Sequence, residues 1–198
     1  MLSSNLTSTI ISQFHSSKIR GLANRNSIIT SIDEDGTVIT RNIKNGNSQV
    51  INLWRYSQPG TCVEVCHDGK IVVGFRDGKI FGLGLDGKKV EWEVAAHKGA
   101  VTTIFGAFEG YMLTGGDDSV VRIWSKNKQL INQVSAHQKT VTKVLGEISA
   151  SHIIHSCSYD RSIQTYDLKT DKKLYFRQAL GGSLTDMIQN IKTGDLST

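Results

Sequence analysis

The sequence predicts an all-β fold in which one four-stranded unit repeats along the chain. Three observations lead to this prediction. Asp35, Asp77, Asp118 and Asp160 are separated by 42, 41 and 42 residues. Each of them follows an apolar run and precedes a second, alternating one. No segment shows helical periodicity longer than a turn or two. A fixed period of about 40 residues built from short strands is typical of a β-propeller, in which each unit forms one blade.

Four strands can be assigned to each unit, because the apolar runs are rich in Val, Ile, Thr and aromatic residues and are separated by turn residues. The assigned strands are 101–106, 111–116, 120–125 and 129–134 in the third unit, and 61–66, 70–75, 80–85 and 89–94 in the second. Asp35-Gly36 and Asp77-Gly78 predict two-residue hairpin turns, since glycine adopts a positive φ without strain.

The period divides the chain into one domain of repeated blades. The predicted units are 15–56, 57–96, 97–136 and 137–179, with a fifth unit starting at 180–198 and a leading strand at 7–14. Propellers usually close with four to eight blades, and natural folds avoid raw sheet edges. We therefore expect the chain to be part of a larger propeller or an open array completed by another chain, with a closed four-bladed ring as the alternative.

Two units carry a further pattern of polar and aromatic residues. It consists of Ala96-His97, Thr114, Asp118 and Ile123-Trp124-Ser125 in the third unit, and of Ala136-His137, Ser156, Asp160 and Thr165-Tyr166-Asp167 in the fourth. With these residues, in register over about 8–185, the chain resembles the WD-repeat propeller family. In that family a Trp, a Ser or Thr, a His and an Asp form a hydrogen-bonded network within a blade.

The resemblance implies a structural role for these residues rather than a catalytic one. The implied network comprises His97, Thr114, Asp118 and Trp124 in the third unit and His137, Ser156 and Asp160 in the fourth. Three units depart from the pattern. The Trp position holds Tyr166 in the fourth unit, Arg41 in the first and Leu83 in the second, and the His position of the second unit holds Ser57. A buried polar group without a partner costs about 1–3 kcal/mol, so a closed network stabilises the blade.

The residue before each repeated aspartate is the predicted partner-binding position. In the WD-repeat family the turn between the second and third strands lies on a rim that often contacts partners. The candidates are Glu34, Arg76, Asp117 and Tyr159, which differ in charge and character while the aspartate beside them is constant. Arg and Tyr are frequent interface anchors. The loops 98–100 and 138–140 are second candidates on the same rim.

Several strings resemble catalytic or ligand-binding motifs but fit the blade pattern better. Gly82-Leu83-Gly84-Leu85-Asp86-Gly87 matches a dinucleotide-binding string, yet the alternating residues 90–94 predict a strand where that motif needs a helix. Cys62, Cys66 and His67 are too extended for one zinc ion, and His152, His155 and Cys157 lack an evident fourth ligand. We therefore predict no enzyme activity, no cofactor, no metal and no small-molecule substrate.

Charge and composition limit the partner classes. The net charge is +5, but the 23 basic residues are scattered rather than clustered as in most nucleic-acid binders. The chain shows no signal-peptide pattern and no apolar run long enough to span a membrane, and its three cysteines argue against a secreted disulfide scaffold. We expect a cytoplasmic, nuclear or cytoskeletal protein that binds other proteins at its rim as a non-catalytic scaffold. An RNA-associated propeller and a cytoskeletal or ciliary propeller on an acidic filament are the alternatives.

Overall fold

The computed structural model describes residues 15–44, 47–84, 89–106, 110–146, 152–178, 181–189 and 196–198. These ranges contain 18 β-strands, and sixteen of them form four sheets of four strands each. Every sheet is antiparallel and its strands follow one another in chain order. No helix among the described residues is long and apolar enough to cross a membrane.

We refer to the four sheets as blades one to four. Blade one holds β1 (Ile19–Arg25), β2 (Ile28–Asp33), β3 (Thr37–Lys44) and β4 (Asn47–Arg55). Blade two holds β5 (Gly60–Val65), β6 (Ile71–Phe75), β7 (Lys79–Leu83) and β8 (Val90–Ala95). Blade three holds β9 (Val101–Gly106), β10 (Met112–Gly116), β11 (Val121–Trp124) and β12 (Leu130–Val134). Blade four holds β13 (Val141–Gly146), β14 (Ile153–Ser158), β15 (Ser162–Asp167) and β16 (Lys172–Gln178), and β17 (Ile188–Gln189) pairs with β18 (Leu196–Ser197) beyond it.

The predicted all-β fold of four-stranded antiparallel blades is confirmed. The strands assigned from the sequence in the second and third units agree with the structure to within one or two residues at each end. The predicted leading strand at 7–14 and residues 85–87 of the glycine string lie outside the described residues.

The hydrophobic core lies between the blades rather than within them. One cluster joins blades one and two, with Ile32 and Val38 packed against Val63 and Phe75. A second joins blades two and three, and a third joins blades three and four, where Leu113 and other side chains of blade three meet those of blade four. Blades two and three are apolar on both faces because a neighbouring blade covers each face, and their strands are therefore apolar runs in the sequence.

The first strands of successive blades pack side by side, so that β1, β5, β9 and β13 form the inner wall of the array. Each of them carries a β-bulge at the same place, where the register shifts around Arg20, Thr61, Thr102 and Thr142. A bulge bends the strand and redirects a side chain. The four bulged residues are therefore set apart from the sheets, on the inner wall.

Residues 184–187 pack on blade four as the first strand of a blade packs on its predecessor. The Thr102 hydroxyl donates to the carbonyl of Val141, and the Thr142 hydroxyl donates to the carbonyl of Leu184 at 2.9 Å. Met187 is buried. Leu184 therefore occupies the position relative to blade four that Val141 occupies relative to blade three.

The turns between the second and third strands differ from the predicted two-residue hairpins. In blade one, three residues separate β2 from β3, the Gly36 amide donates to the Asp33 carbonyl at 3.1 Å, and Gly36 has a φ of 77°. Blade two repeats this at Gly78 with a φ of 85°, and blades three and four have Ser119 and Arg161 there, with φ values of 64° and 71°. This is a turn that ends in a left-handed residue, so glycine serves as its third residue rather than as the second half of a two-residue loop.

Glu64 on β5 is an acidic residue largely withdrawn from water at the junction of blades two and three. Burial raises the pKa of Glu64 to about 7, while Arg25, Lys143 and the backbone amide of Gly106 oppose that rise. An acid with a raised pKa in the folded state destabilises the fold above that pKa and has no such effect below its unfolded value.

Replacing this carboxylate should therefore change stability in a pH-dependent way. We expect Glu64→Gln to match the wild type near pH 4.5 and to be more stable by about 2 kcal/mol near pH 8, because each pKa unit is worth about 1.4 kcal/mol before allowance for partial solvation. Urea unfolding at both pH values measures the difference. The control Glu91→Gln removes an exposed glutamate and should show no such dependence; equal behaviour of the two variants would refute the assignment.

Candidate functional site

Blade three contains a closed polar network between its sheet and the preceding linker. The Trp124 indole N–H donates to the Thr114 hydroxyl at 2.9 Å, and that hydroxyl lies 2.8 Å from His97 Nε2. His97 Nδ1 lies 2.8 Å from Asp118 Oδ1, and Asp118 Oδ2 accepts a hydrogen bond from the Lys98 amide at 3.1 Å. The network ties the linker, β10, β11 and the turn into one unit.

Electrostatics keep this network in one protonation state near neutral pH. Burial lowers the pKa of His97, although the adjacent Asp118 acts to raise it, so the imidazole is neutral. Burial acts to raise the pKa of Asp118, but hydrogen bonds from His97 and Arg122 hold it below its usual value. Arg122 Nη1 donates to Asp118 Oδ2 at 2.7 Å. A neutral imidazole with an ionised aspartate satisfies the buried donors and acceptors.

Blade four builds the same arrangement with two changes. His137 Nε2 lies 2.8 Å from the Ser156 hydroxyl, and His137 Nδ1 lies 3.2 Å from Asp160 Oδ2. Tyr166, which takes the position of Trp124, donates instead to Asp171 at 2.6 Å. The network of blade four therefore lacks the aromatic link and reaches the third strand through the Ser162 hydroxyl, which lies 2.8 Å from His137 Nδ1.

Blade one uses a different aspartate from the one that the repeat predicts. His15 Nε2 lies 2.7 Å from the Ser31 hydroxyl, as in the other blades, but His15 Nδ1 lies 2.7 Å from Asp33 Oδ2. Asp33 is fully buried, whereas the predicted residue Asp35 accepts a bond from the Ser16 hydroxyl at the surface. The position of Asp33 in β2 corresponds to that of Gly116 in β10, where an added Cβ would meet the His97 ring.

Blade two has a tyrosine where the other blades use histidine. The Tyr56 hydroxyl donates to Asp77 Oδ2 at 2.9 Å, and the neighbouring Ser57, at the predicted histidine position, is exposed. Tyr56 also packs its ring against Phe75 and Phe81, with centroids 4.9 and 4.7 Å apart. An aromatic cluster thus replaces the polar network between blades one and two.

Ser156, His137 and Asp160 are connected in the same order as the serine, histidine and aspartate of a hydrolase triad. Their position in the blade indicates a structural role instead. Ser156 is only 4% exposed, so a substrate carbonyl has no access to its hydroxyl. The same order recurs as Thr114–His97–Asp118 in blade three. A set of bonds repeated from blade to blade in the interior serves the fold, and a nucleophile has to meet its substrate.

The turn after each second strand brings the four predicted partner-binding residues to one place. Glu34, Arg76, Asp117 and Tyr159 all line a cavity of about 430 Å³ at one end of the inner wall. Among the described residues the Arg76 side chain makes no hydrogen bond or ion pair. Tyr159 is 44% exposed, and Glu34 pairs with Arg20. We call this cavity and its lining the channel mouth.

Asp117 is held more firmly than the other three residues. Its carboxylate accepts bonds from the Ala100 amide at 3.3 Å and from the Thr140 hydroxyl at 3.0 Å, and so connects blades three and four. The loops 98–100 and 138–140, the second candidates, reach the channel mouth through Ala100 and Thr140.

The bulged residues of the inner strands also line the channel mouth, and the sequence analysis did not select them. They are Arg20, Thr61, Thr102 and Thr142. Their spacing of 41, 41 and 40 residues matches the repeat, so the signal was present in the sequence. It was not recognised because a bulge has no residue pattern of its own, unlike a turn with glycine.

Residues 88–125 match the family model described as "WD domain, G-beta repeat". These residues form a WD-type repeat, and the four-stranded antiparallel blades of the chain are those of a β-propeller fold. The matched span contains β8 and the first three strands of blade three, which is the blade with the complete network. WD repeats generally mediate protein–protein interaction, and WD-repeat propellers are typically non-enzymatic.

The fold of this chain is similar to that of a solved structure, the crystal structure of the computationally designed Ika4 protein. The two are 22% identical, with a TM-score of 0.70, and the match covers 79% of this chain and 94% of that chain. At this identity the likeness concerns the fold alone. No curated protein sequence matches this chain significantly.

The described residues of the strings that resembled ligand sites belong to the blades or to their turns. Gly82 belongs to β7, and the residues after the string form β8, a strand rather than the helix that a pyrophosphate site needs. Across the described ranges, no three His, Cys, Asp or Glu side chains are grouped to hold a metal ion. Burial raises the pKa of the Cys62 and Cys66 thiols to about 12 each, which leaves them unreactive.

Proposed function

We propose that this protein is a non-catalytic scaffold that binds other proteins at the channel mouth, within a multiprotein assembly. The observation that carries the proposal is the convergence of four turn residues, Glu34, Arg76, Asp117 and Tyr159, on one cavity. These residues differ from blade to blade, whereas the residues that hold the blades together recur. A rigid set of blades that presents different side chains at the channel mouth is suited to recognising a specific surface of a partner protein.

Arg76 and Tyr159 are the strongest anchors for a partner. Arg76 is exposed, and its guanidinium makes no ion pair within the described part of the chain. Tyr159 holds its ring at the opening while its backbone is fixed, because its amide donates to the Thr140 carbonyl at 3.1 Å. Arg and Tyr dominate binding energy at many interfaces, and a side chain on a rigid backbone loses less entropy on binding.

The test is affinity purification of the tagged protein at physiological salt, comparing the wild type with Arg76→Ala and Tyr159→Ala. We expect each variant to lose recovered partners, with an affinity about tenfold weaker or more. Urea unfolding of the same variants should stay within about 0.5 kcal/mol of the wild type, because neither side chain holds the fold.

The matched controls are Arg177→Ala and Tyr175→Ala on β16, which are equally exposed residues of the same types. They should retain the partners. If the controls lose the partners as well, or if the channel-mouth variants unfold, the channel mouth is not the binding site. Nuclease treatment separates the alternative: partners that disappear with nuclease and with rising salt would make RNA the ligand.

A further inference from the structure

Blade three places an arginine against its histidine–aspartate pair. This contact points to a binding site at the corresponding position of blade four. Arg122 pairs with Thr114 across β10 and β11, and its guanidinium donates to Asp118 Oδ2 at 2.7 Å. Asp118 Oδ2 also accepts the Lys98 amide. In blade three, therefore, one oxygen of the Asp118 carboxylate binds both a backbone amide and a guanidinium.

In blade four the corresponding position is Gln164, which pairs with Ser156 across β14 and β15. Asp160 Oδ2 again accepts a linker amide, from Gln138 at 2.9 Å, and His137 Nδ1 lies 3.2 Å from the same oxygen. Gln164 turns its amide nitrogen to the carbonyl of Ala136 instead of to Asp160. A cavity of about 340 Å³ lies here, lined by Asp160, Gln164, His137 and Phe176 among others. This volume is at the lower end of the range of small-ligand sites, about 300–1,000 Å³.

The lining of this cavity suits a planar cation. Gln164 is 6% exposed, and its carbonyl oxygen has no hydrogen-bond partner among the described residues. Hydrogen bonds from the Ser162 hydroxyl and from backbone amides hold the pKa of Asp160 below its usual value, although burial acts to raise it. Phe176 is 53% exposed and offers a ring face at the cavity. A carboxylate, an amide oxygen and an aromatic face are the groups that bind a guanidinium.

Among the described residues that line the cavity, one lysine competes for this place. Lys173 lines the cavity with its ammonium 5.5 Å from the centre of the Phe176 ring, but it makes no ion pair with Asp160. His137 does not compete, because burial lowers its pKa and leaves it neutral near pH 7. Lys173 is exposed and on a long flexible stem, so that a ligand can displace it.

We propose that the cavity beside Asp160 and Gln164 is a binding site for an arginine side chain supplied by a partner protein. The guanidinium donates to Asp160 Oδ2 and to the Gln164 carbonyl oxygen and lies on Phe176, in the role that Arg122 has in blade three. The site is on the flank of blade four and is separate from the channel mouth. It gives the scaffold a second contact of defined chemistry.

The experiment is an NMR titration of the isotope-labelled full chain with N-acetyl-arginine methylamide. We expect saturable shifts at residues 135–138, 160–164 and 176, and binding at least about tenfold weaker for N-acetyl-lysine methylamide and N-acetyl-citrulline methylamide, because only arginine combines the charge with the planar fork. Equal binding of the lysine and arginine probes, or shifts confined to other residues, would overturn the proposal.

Two variants make the test independent of loss of folding. Gln164→Arg recreates the arrangement of blade three and should fold normally while weakening probe binding at least about tenfold, since its own guanidinium occupies the site. Arg122→Gln opens the corresponding place in blade three, where Gln133 takes the position of Phe176, so we expect additional probe binding there that is weaker than at blade four. Gln133→Arg is the matched charge control on the exposed strand β12 and should leave probe binding unchanged. If Gln164→Arg binds the probe as the wild type does, the proposal is wrong.

Discussion

Replacing Asp118 with alanine is expected to lower the free energy of unfolding by about 3 kcal/mol or more. The substitution removes the carboxylate that accepts hydrogen bonds from His97 and Arg122. Both donors then lack this acceptor at a position where little water can replace it. Breaking a buried charged pair by removing one partner costs about 3–5 kcal/mol. Urea unfolding near pH 7 measures the loss, and an unchanged slope shows that the unfolded state is not altered.

Asp77→Ala is the matched control, because Asp77 occupies the same position of the repeat in blade two but is exposed. It accepts bonds from the Tyr56 hydroxyl and the Lys79 amide, so we expect a cost of about 1 kcal/mol. The effect at Asp118 should also depend on pH. Since the pKa of Asp118 is below its usual value in the folded protein, its contribution is complete above about pH 4 and is lost in stronger acid. Equal costs for the two aspartates would show that the network of blade three carries no special stability.

Replacing Gly78 with alanine is expected to destabilise the protein by about 3 kcal/mol or to prevent folding. Gly78 has a φ of 85°, and a Cβ there would lie 2.0 Å from the carbonyl oxygen of His97 and 2.8 Å from that of Gly99. The turn cannot retreat, because the Gly78 carbonyl accepts the amides of Ala96 and His97. A left-handed non-glycine residue alone costs about 1–3 kcal/mol, and the clash with backbone adds to this cost.

Ser119→Ala tests the same turn position in blade three, where a side chain is already present at a φ of 64°. This variant should change the unfolding free energy by less than about 0.5 kcal/mol. The comparison separates contact with the linker from the effect of backbone conformation alone. A Gly78→Ala variant as stable as the wild type would mean that the turn and the linker are not in the contact described.

The candidate site was only partly predictable from the sequence. The four residues before the repeated aspartates were selected by their variation, and the structure brings all four to the channel mouth. The aspartate of blade one was assigned wrongly: the period selects Asp35, but His15 bonds to Asp33. Two residues in one strand and turn can both reach the same histidine, and a period cannot distinguish them. Arg122 was missed because its position in the other blades is filled by unrelated residues, Ile39, Phe81 and Gln164.

The sequence by itself determined the repeat, the strand order and, in blades three and four, the residues that join the turn to its linker. These follow from the alternation of side chains along a strand and from turn chemistry, which involve neighbouring residues. Only the tertiary structure decided which residues about 40 positions apart meet. The convergence at the channel mouth, the bulges that line it and the cavity beside Gln164 depend on how each blade packs against the next. That packing is set by contacts between side chains distant in the chain, which leave no local pattern in the sequence.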